Sequence, residues 1–515
     1  MNRALNFGGI ILLIIIITMG IIALILIGNK SKYFLHMLQL EGYNSEQFQK
    51  WISNNKKKAF SLKNYKSESK KPLVFTNRAK RLYITNMIFN TILVVLFILR
   101  TRRFHTAPPA YVFLVLMIYI ILLGILYYLQ AFFMLISNNS VEPIEKRINR
   151  GFYEQAQSKI KNRPDLTVIG ITGSFGKTST KFIVGTILGE KFKVLNTPES
   201  YNTPMGLSKV INNDLTDEYN VFIAELGARN IGDIKEVAEL VSPKIGVITS
   251  IGATHIETFK NIDNIMKTKY ELIEELPTDG IAIYNYDNEY IKKLADKTFK
   301  EKILYGLEDT ENLDLYAEDI EVSEFGSTFT VKDKEGNSIR CTTKLLGKHN
   351  IYNILAGVAV GRALGLSYEE VKDGIENIEP IPHRLNIINP GTGIIIIDDA
   401  FNSNPIGSKA ALEVLSQFKE GRKLIITPGM VELGAMEEEA NREFGINIGK
   451  VCDYVILVGE KRTRPIYDGL MEVNYNKDNI FIVNNLNEAT SYIQTLARPK
   501  DVVLFENDLP DNYNE

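Results

Sequence analysis

Gly170-Ile171-Thr172-Gly173-Ser174-Phe175-Gly176-Lys177-Thr178-Ser179 decides how this 515-residue chain is read. The apolar run Leu166 to Ile171 before it reads as a buried strand, and Thr180 to Leu188 after it reads as a helix. The glycines therefore fall on a strand-to-helix turn, a place suited to holding phosphate. Glycine lets backbone N–H groups turn inward, the helix N-terminus adds partial positive charge, Lys177 can reach the β- and γ-phosphates, and the Thr178 hydroxyl suits Mg²⁺. The stretch departs from the full P-loop pattern, because Ile171 stands where the first glycine belongs and Gly173 lies inside the loop.

Apolar strand-like runs alternate with helical ones on either side of this turn: Leu166 to Ile171, Val221 to Glu225, Ile245 to Ile251 and Ile281 to Tyr284. Such alternation predicts a parallel sheet covered by helices, with ligands gathering at the carboxyl ends of the strands. Glu225 closes the second run, so its carboxylate is expected near the phosphate turn, and Thr254 and His255 follow the third. Mg²⁺ prefers hard oxygen ligands, which makes Thr178 and Glu225 a pair for it. His255 is a weaker candidate for a second metal or the phosphoryl group, and Lys269, on the helical run Asn264 to Glu275, reads as a surface lysine.

The N-terminal part is of another kind. Phe7 to Gly28, Leu82 to Leu99 and Tyr111 to Ile136 are uncharged apolar runs, the last two separated by Pro108 and Pro109, and they read as three membrane helices. Residues 29–81 between the first two carry thirteen Lys or Arg against three acids, Glu41, Glu46 and Glu68. The positive-inside rule places that insert in the cytoplasm, and three spans put everything after Ile136 there too. Arg100, Arg102 and Arg103 would then lie outside, against the rule. The insert reads equally well as lying on anionic lipid or as a solvated basic face. A net charge of −2 argues against a general nucleic-acid binder, and two cysteines, Cys341 and Cys452, are too few for a disulfide framework.

The phosphate turn, Glu225 to Ile234, Thr254 to Phe259, Lys269 with Glu271, Asn285 with Asp287, and Gly347, His349, Asn350 and Asn353 together resemble the central domain of the Mur ligases. The resemblance implies ATP-driven amide formation through an acyl phosphate, with ATP and Mg²⁺ as cofactors. It implies that Gly173, Ser174, Phe175, Gly176, Lys177, Thr178 and Ser179 hold the triphosphate, that Lys177, His255 and Lys269 serve catalysis, and that Asn285 contacts adenine. Thr178, Glu225 and His255 would be metal ligands, and Lys269 would join them only if carbamylated.

Pro380 and Pro382 mark a hinge into a second α/β unit, with strands at Ile394 to Ile397, Leu424 to Ile426 and Val455 to Val458. Asp398-Asp399-Ala400-Phe401-Asn402-Ser403-Asn404-Pro405, with Ser408 after it and Gly429-Met430-Val431-Glu432-Leu433-Gly434 later, resembles the family branch that adds D-alanyl-D-alanine. By that resemblance Arg384 and Asp399 close over the nucleotide, and Asn402, Asn404 and Ser408 shape the amine pocket. From composition alone that stretch is a capped turn. The expected fold is α/β, with a P-loop central domain (141–383) and a Rossmann-like C-terminal domain (384–515) preceded by an all-α transmembrane region (1–140). The expected partners are a carboxyl substrate like a peptidoglycan precursor, a dipeptide amine, membrane lipid and a cell-wall synthesis complex, at the inner membrane with the catalytic domains in the cytoplasm. Met1 to Ile136 stands where the branch has a soluble UDP-binding domain, and Asn507-Asp508-Leu509 where it commonly has Gly-Ser-Arg. A lipid-linked or polyglutamate-type acid is accordingly the alternative substrate.

Overall fold

The computed structural model describes residues 7–63, 65, 72–101, 109–198, 201–254, 256–323, 326–400, 403–431 and 433–508. The chain forms two compact units, one up to Arg150 and one from Gly151. The first is helical. Its long helices are Phe7–Leu40, Asn77–Thr101 and Pro109–Tyr128, followed by Gln130–Lys161, which runs past the unit boundary. Large apolar side chains point outward from them, among them Ile25, Leu96 and Phe113, each more than half exposed.

Leu13–Leu40 and Asn77–Arg100 are long and apolar enough to cross a membrane, and Val112–Tyr128 with Gln130–Lys161 would add a third span if that pair, bent by 65°, is one. The first helix continues to Leu40, twelve residues into the basic stretch, and the third apolar run is interrupted at Leu129. The break has a local cause. The Gln130 side chain donates to the Leu126 carbonyl at 2.6 Å, the acceptor that an unbroken helix would reserve for the backbone N–H of Gln130. Gln130 also belongs to a buried polar cluster: Ser31 Oγ lies 2.9 Å from Asn86 Oδ1 and 3.0 Å from Gln130 Oε1, and Gln130 Nε2 donates to Asn90 Oδ1 at 2.8 Å.

The second unit holds two sheets. In the first, β1 (Thr167–Thr172), β2 (Val194–Asn196), β3 (Val221–Glu225), β4 (Ile245–Ile248), β5 (Ile281–Asn285), β6 (Glu301–Gly306), β7 (Leu315–Ser323), β8 (Gly326–Asp333) and β9 (Ser338–Thr343) lie in the order β2-β3-β1-β4-β5-β6-β7-β8-β9. Pairing is parallel from β2 to β7 and antiparallel from β7 to β9. Apolar layers cover both faces, one built with Ile183 and Ile187 and with Ile351 and Leu355, the other with Val210, Val237, Ile265 and Leu272. Burial on both faces explains the unbroken apolar runs of β1, β3 and β4.

The second sheet comprises β10 (Asn386–Ile388), β11 (Ile395–Asp399), β12 (Lys423–Thr427), β13 (Tyr454–Val458), β14 (Ile480–Val483) and β15 (Val502–Glu506), in the order β10-β11-β15-β12-β13-β14. Only β10 is antiparallel to its neighbour. The fold is α/β, as expected, and both sheets are mixed. The antiparallel β7–β9 extension was not expected; its strands alternate buried and exposed residues, a pattern less visible than an apolar run.

Candidate active site

The phosphate turn leaves β1 and enters the helix Lys177–Gly189 through Gly176, whose φ of 78° lies in the left-handed region and which provides no side-chain cap. The first N–H groups of that helix are thus offered to an anion. A Cβ on Gly176 would come 2.7 Å from Asn353 Oδ1, and one on Gly173 would come 2.1 Å from Thr249 Oγ1. The turn is laced to the segment after β4: Ser174 N donates to Ser250 O at 2.7 Å, Phe175 N to Ser250 Oγ at 2.9 Å, and Thr249 Oγ1 to Phe175 O at 2.5 Å. Lys177 Nζ folds back to donate to Gly173 O at 2.8 Å and Ser174 O at 3.3 Å. Burial lowers its pKa, with Arg384 adding to that and Glu225 opposing it.

Glu225 ends β3 opposite Ile171 of β1 and is 1% exposed. Its Oε2 pairs with Lys181 Nζ at 3.2 Å and its Oε1 accepts from Asn202 Nδ2 at 3.1 Å. Lys181 is fully buried and was missed in the sequence, although it lies one helical turn after Lys177. Each Glu225 oxygen has one partner among the described residues, and a carboxylate oxygen can accept more than one. With the Thr178 hydroxyl, the donor set is the hard-oxygen kind that fits Mg²⁺. Among the described residues no three His, Cys, Asp or Glu converge on a common point. His255 lies outside the described residues.

Lys269 is not a surface residue. It is 3% exposed, because the helix Ile262–Glu274 buries Thr268, Lys269, Glu271 and Leu272 together. Desolvation, reinforced by Lys177, brings its pKa down to about 7, against the opposing charges of Asp233, Glu271 and Glu225. Glu271 accepts from Gly232 N at 2.8 Å and Lys235 N at 3.0 Å, tying down the loop after β3.

Asn285 ends β5 and donates to Thr249 O at 3.1 Å, and among the described residues its buried Oδ1 has no partner. A buried amide oxygen left unpaired costs free energy unless a ligand supplies a donor. An adenine amino group would supply one, so the site fits ATP as well as its metal. Asp287 accepts from Leu307 N and Tyr352 O–H on one oxygen.

Residues 171–361 match the Mur ligase middle domain, and residues 383–506 match the Mur ligase glutamate ligase domain. The chain is 30% identical over 341 residues to the UDP-N-acetylmuramoyl-tripeptide–D-alanyl-D-alanine ligase of Bacillus subtilis, covering 66% of this chain and 72% of that one. It belongs to the Mur ligase family. The Escherichia coli enzyme of the same name is 30% identical over 56% of this chain and 63% of its own length. Among solved structures, MurF from Acinetobacter baumannii superposes with a TM-score of 0.63 at 25% identity, over 71% of this chain and 78% of that one. The MurF ligase of Thermotoga maritima in complex with ADP gives the same score and identity, over 70% and 80%.

In this Mur ligase the C-terminal sheet presents its carboxyl edge with Asp399 on β11 beside Glu506 on β15. Arg384 stands between His383 and Leu385, both with positive φ, and Asp399 Oδ1 accepts from Leu385 N at 3.2 Å. Desolvation raises the Asp399 pKa to about 6 against the attraction of Arg384. Arg384 also feels Glu225 of the central domain, so these charges share one electrostatic environment. A Cβ on Gly252, just past the phosphate turn's partner segment, would lie 3.4 Å from Ile406.

Asn404 caps the helix Pro405–Gln417, accepting from Ile406 N at 3.1 Å and Gly407 N at 2.8 Å. Ser408 is buried, donating to Pro405 O at 3.2 Å. The structure thus gives both a local structural contact. Asn402 lies outside the described residues. Glu506 was not singled out from the sequence, where it reads as an ordinary strand end. It is 1% exposed, Ser403 Oγ donates to its Oε1, and among the described residues its Oε2 has no partner in hydrogen-bonding geometry.

Proposed function

We propose that this chain is a membrane-anchored ligase that uses ATP and Mg²⁺ to join D-alanyl-D-alanine to the peptide of a peptidoglycan precursor. The observation that carries the reading is the uncapped phosphate turn flanked by buried Glu225 and Lys269 in a chain of this family. A carboxylate is a poor electrophile. Its oxygen attacks the γ-phosphorus, ADP leaves, and the resulting acyl phosphate is attacked by the amine nitrogen, which expels phosphate and loses a proton.

Each residue has a part in that sequence. Gly173 to Ser179 cradle the triphosphate with backbone N–H groups, and Lys177 swings from its own loop carbonyls to the transferring phosphoryl group. Thr178, Glu225 and His255 would hold Mg²⁺, which supplies charge neutralisation on the phosphate oxygens. Lys269, once carbamylated, becomes a further carboxylate there. Asn285 takes the adenine, Arg384 and Asp399 close over the nucleotide, and Asn402, Asn404 and Ser408 would border the amine.

A second reading changes only the carboxyl substrate. The family matches begin at residue 171, and the part up to Arg150 is built of outward-apolar helices. A lipid-linked precursor presented at the bilayer, or a growing poly-acid, would suit that arrangement. The test is phosphate release and product mass with full-length protein in detergent, ATP, Mg²⁺ and D-alanyl-D-alanine. Product with the UDP-linked muramyl tripeptide supports the first reading, and product only with its lipid-linked counterpart supports the second. Product with neither overturns the D-alanyl-D-alanine assignment.

A further inference from the structure

The C-terminal sheet buries a carboxyl that the reaction so far leaves idle. Glu506 ends β15 between β11 and β12, the strands that carry Asp399 and Thr427 at their own carboxyl ends. Ser403 covers one of its oxygens, and Ser403 N in turn donates to Asn507 Oδ1 at 3.1 Å while Asn507 Nδ2 donates to Gly429 O at 2.6 Å. The residues around Glu506 are thus held in place by one another, and although the Thr427 hydroxyl is close, no donor among the described residues reaches Oε2 in good hydrogen-bonding geometry. A buried carboxyl oxygen without a donor is a costly feature to keep in a core. An ordinary packing role would be served as well by an uncharged residue.

We propose that Glu506, with Asp399 on the adjacent strand, forms the anionic floor of a subsite that receives a primary ammonium group, that of the amine substrate. The proposal rests on the ligase reading above and names what this edge of the C-terminal domain binds. A primary ammonium carries three N–H donors and one positive charge. It would satisfy the orphaned oxygen and offset the repulsion between the two acids. The subsite lies beside the turn from Ser403 through Asn404 to Ser408, which places an amine held there next to the segment expected to border it. Burial and the neighbouring Asp399 push the Glu506 pKa up to about 8, with the Ser403 and Thr427 hydroxyls opposing. Arg384 is the cation that faces Asp399 from the hinge side.

The test compares wild type and Glu506→Gln in the full-length protein. Calorimetry with D-alanyl-D-alanine in the presence of a non-hydrolysable ATP analogue and Mg²⁺ should show binding weakened about tenfold or more in the variant, the loss expected for one charge-assisted hydrogen bond. In wild type that binding should tighten from pH 6 to 8 as Glu506 ionises while much of the amine remains protonated, and the variant should lose this dependence. Equal affinity in the two proteins, no binding in either, or a flat wild-type profile overturns the proposal. The wild-type profile decides the matter if the variant does not fold. ATP-dependent trapping of the carboxyl substrate by hydroxylamine needs no ammonium subsite. A hydroxamate formed by both proteins alongside equal amine affinity would sink this inference alone, whereas a wild type that binds the amine but forms no hydroxamate would sink the ligase reading.

Discussion

Lys181 and Glu225 form an ion pair 3.2 Å long, with the two side chains 0% and 2% exposed. A lysine one turn beyond the phosphate-turn lysine therefore neutralises the carboxylate expected to face the metal. Taking two charges out of water is expensive, and the pair persists because each charge compensates the other and Asn202 satisfies the second carboxylate oxygen.

Removing one partner should be far worse than removing both. Lys181→Met should destabilise the protein by about 3–5 kcal/mol, since it leaves Glu225 charged and buried. Adding Glu225→Gln to that variant should restore much of the loss, while activity stays low. Thermal or urea unfolding of the two single variants and the double variant checks this, and simple additivity would refute it.

Among the described residues, Lys177 Nζ hydrogen-bonds to the carbonyls of its own loop and to no side chain. Lys177→Ala should therefore fold normally, with its melting temperature little changed. Phosphate release should drop by about a hundredfold or more, the loss typical of a donor aimed at transition-state charge. Retained turnover would remove the phosphate site from this turn.

Lys269 gives a pH signature. An unfolded lysine titrates near 10.4, and the folded one near 7. Between these values the unfolded chain binds a proton that the folded protein does not, so stability should rise with pH across that window. The slope should reach up to about 1.4 kcal/mol per pH unit, and it should vanish below pH 7, where both states are charged. Urea midpoints in CO₂-free buffer measure it, and Lys269→Met should remove this lysine's share of the slope. A lysine neutral near pH 7 also adds CO₂ readily, so intact mass in bicarbonate should show one carbamate that the variant lacks.

Asn404→Ala should cost about 1 kcal/mol, because it strips the cap from Pro405–Gln417. Asn404→Asp should keep the cap and most of the stability. If the amine pocket depends on this turn, the Ala variant's amine KM should rise while its ATP KM holds.

The glycine-lysine turn, the apolar strands β1, β3 and β4, and Glu225 at a strand end were legible because each is a local pattern with one structural meaning. What escaped were residues whose importance is set by distant neighbours. Lys181 looks in the sequence like any helix lysine, and only the approach of β3 makes it a buried counter-ion. Lys269 read as exposed because a single lysine says nothing about which face of its helix is covered. Glu506 became visible only when β15 inserted between β11 and β12, a pairing no nearby residue announces. The break at Leu129 lacks proline or glycine; a glutamine that competes for a backbone carbonyl produces it instead.

The polar cluster of Ser31, Asn86, Asn90 and Gln130 sits among helices whose outer surfaces are apolar. Apolar contacts tolerate many neighbours, whereas a buried polar group needs a particular partner. Sliding or rotating any one of these helices would strand an amide without a mate. They therefore have one register, and the N-terminal part is a fitted piece: an unpatterned run of hydrophobic residues of equal length would keep the apolar outer surface but would not rebuild this cluster.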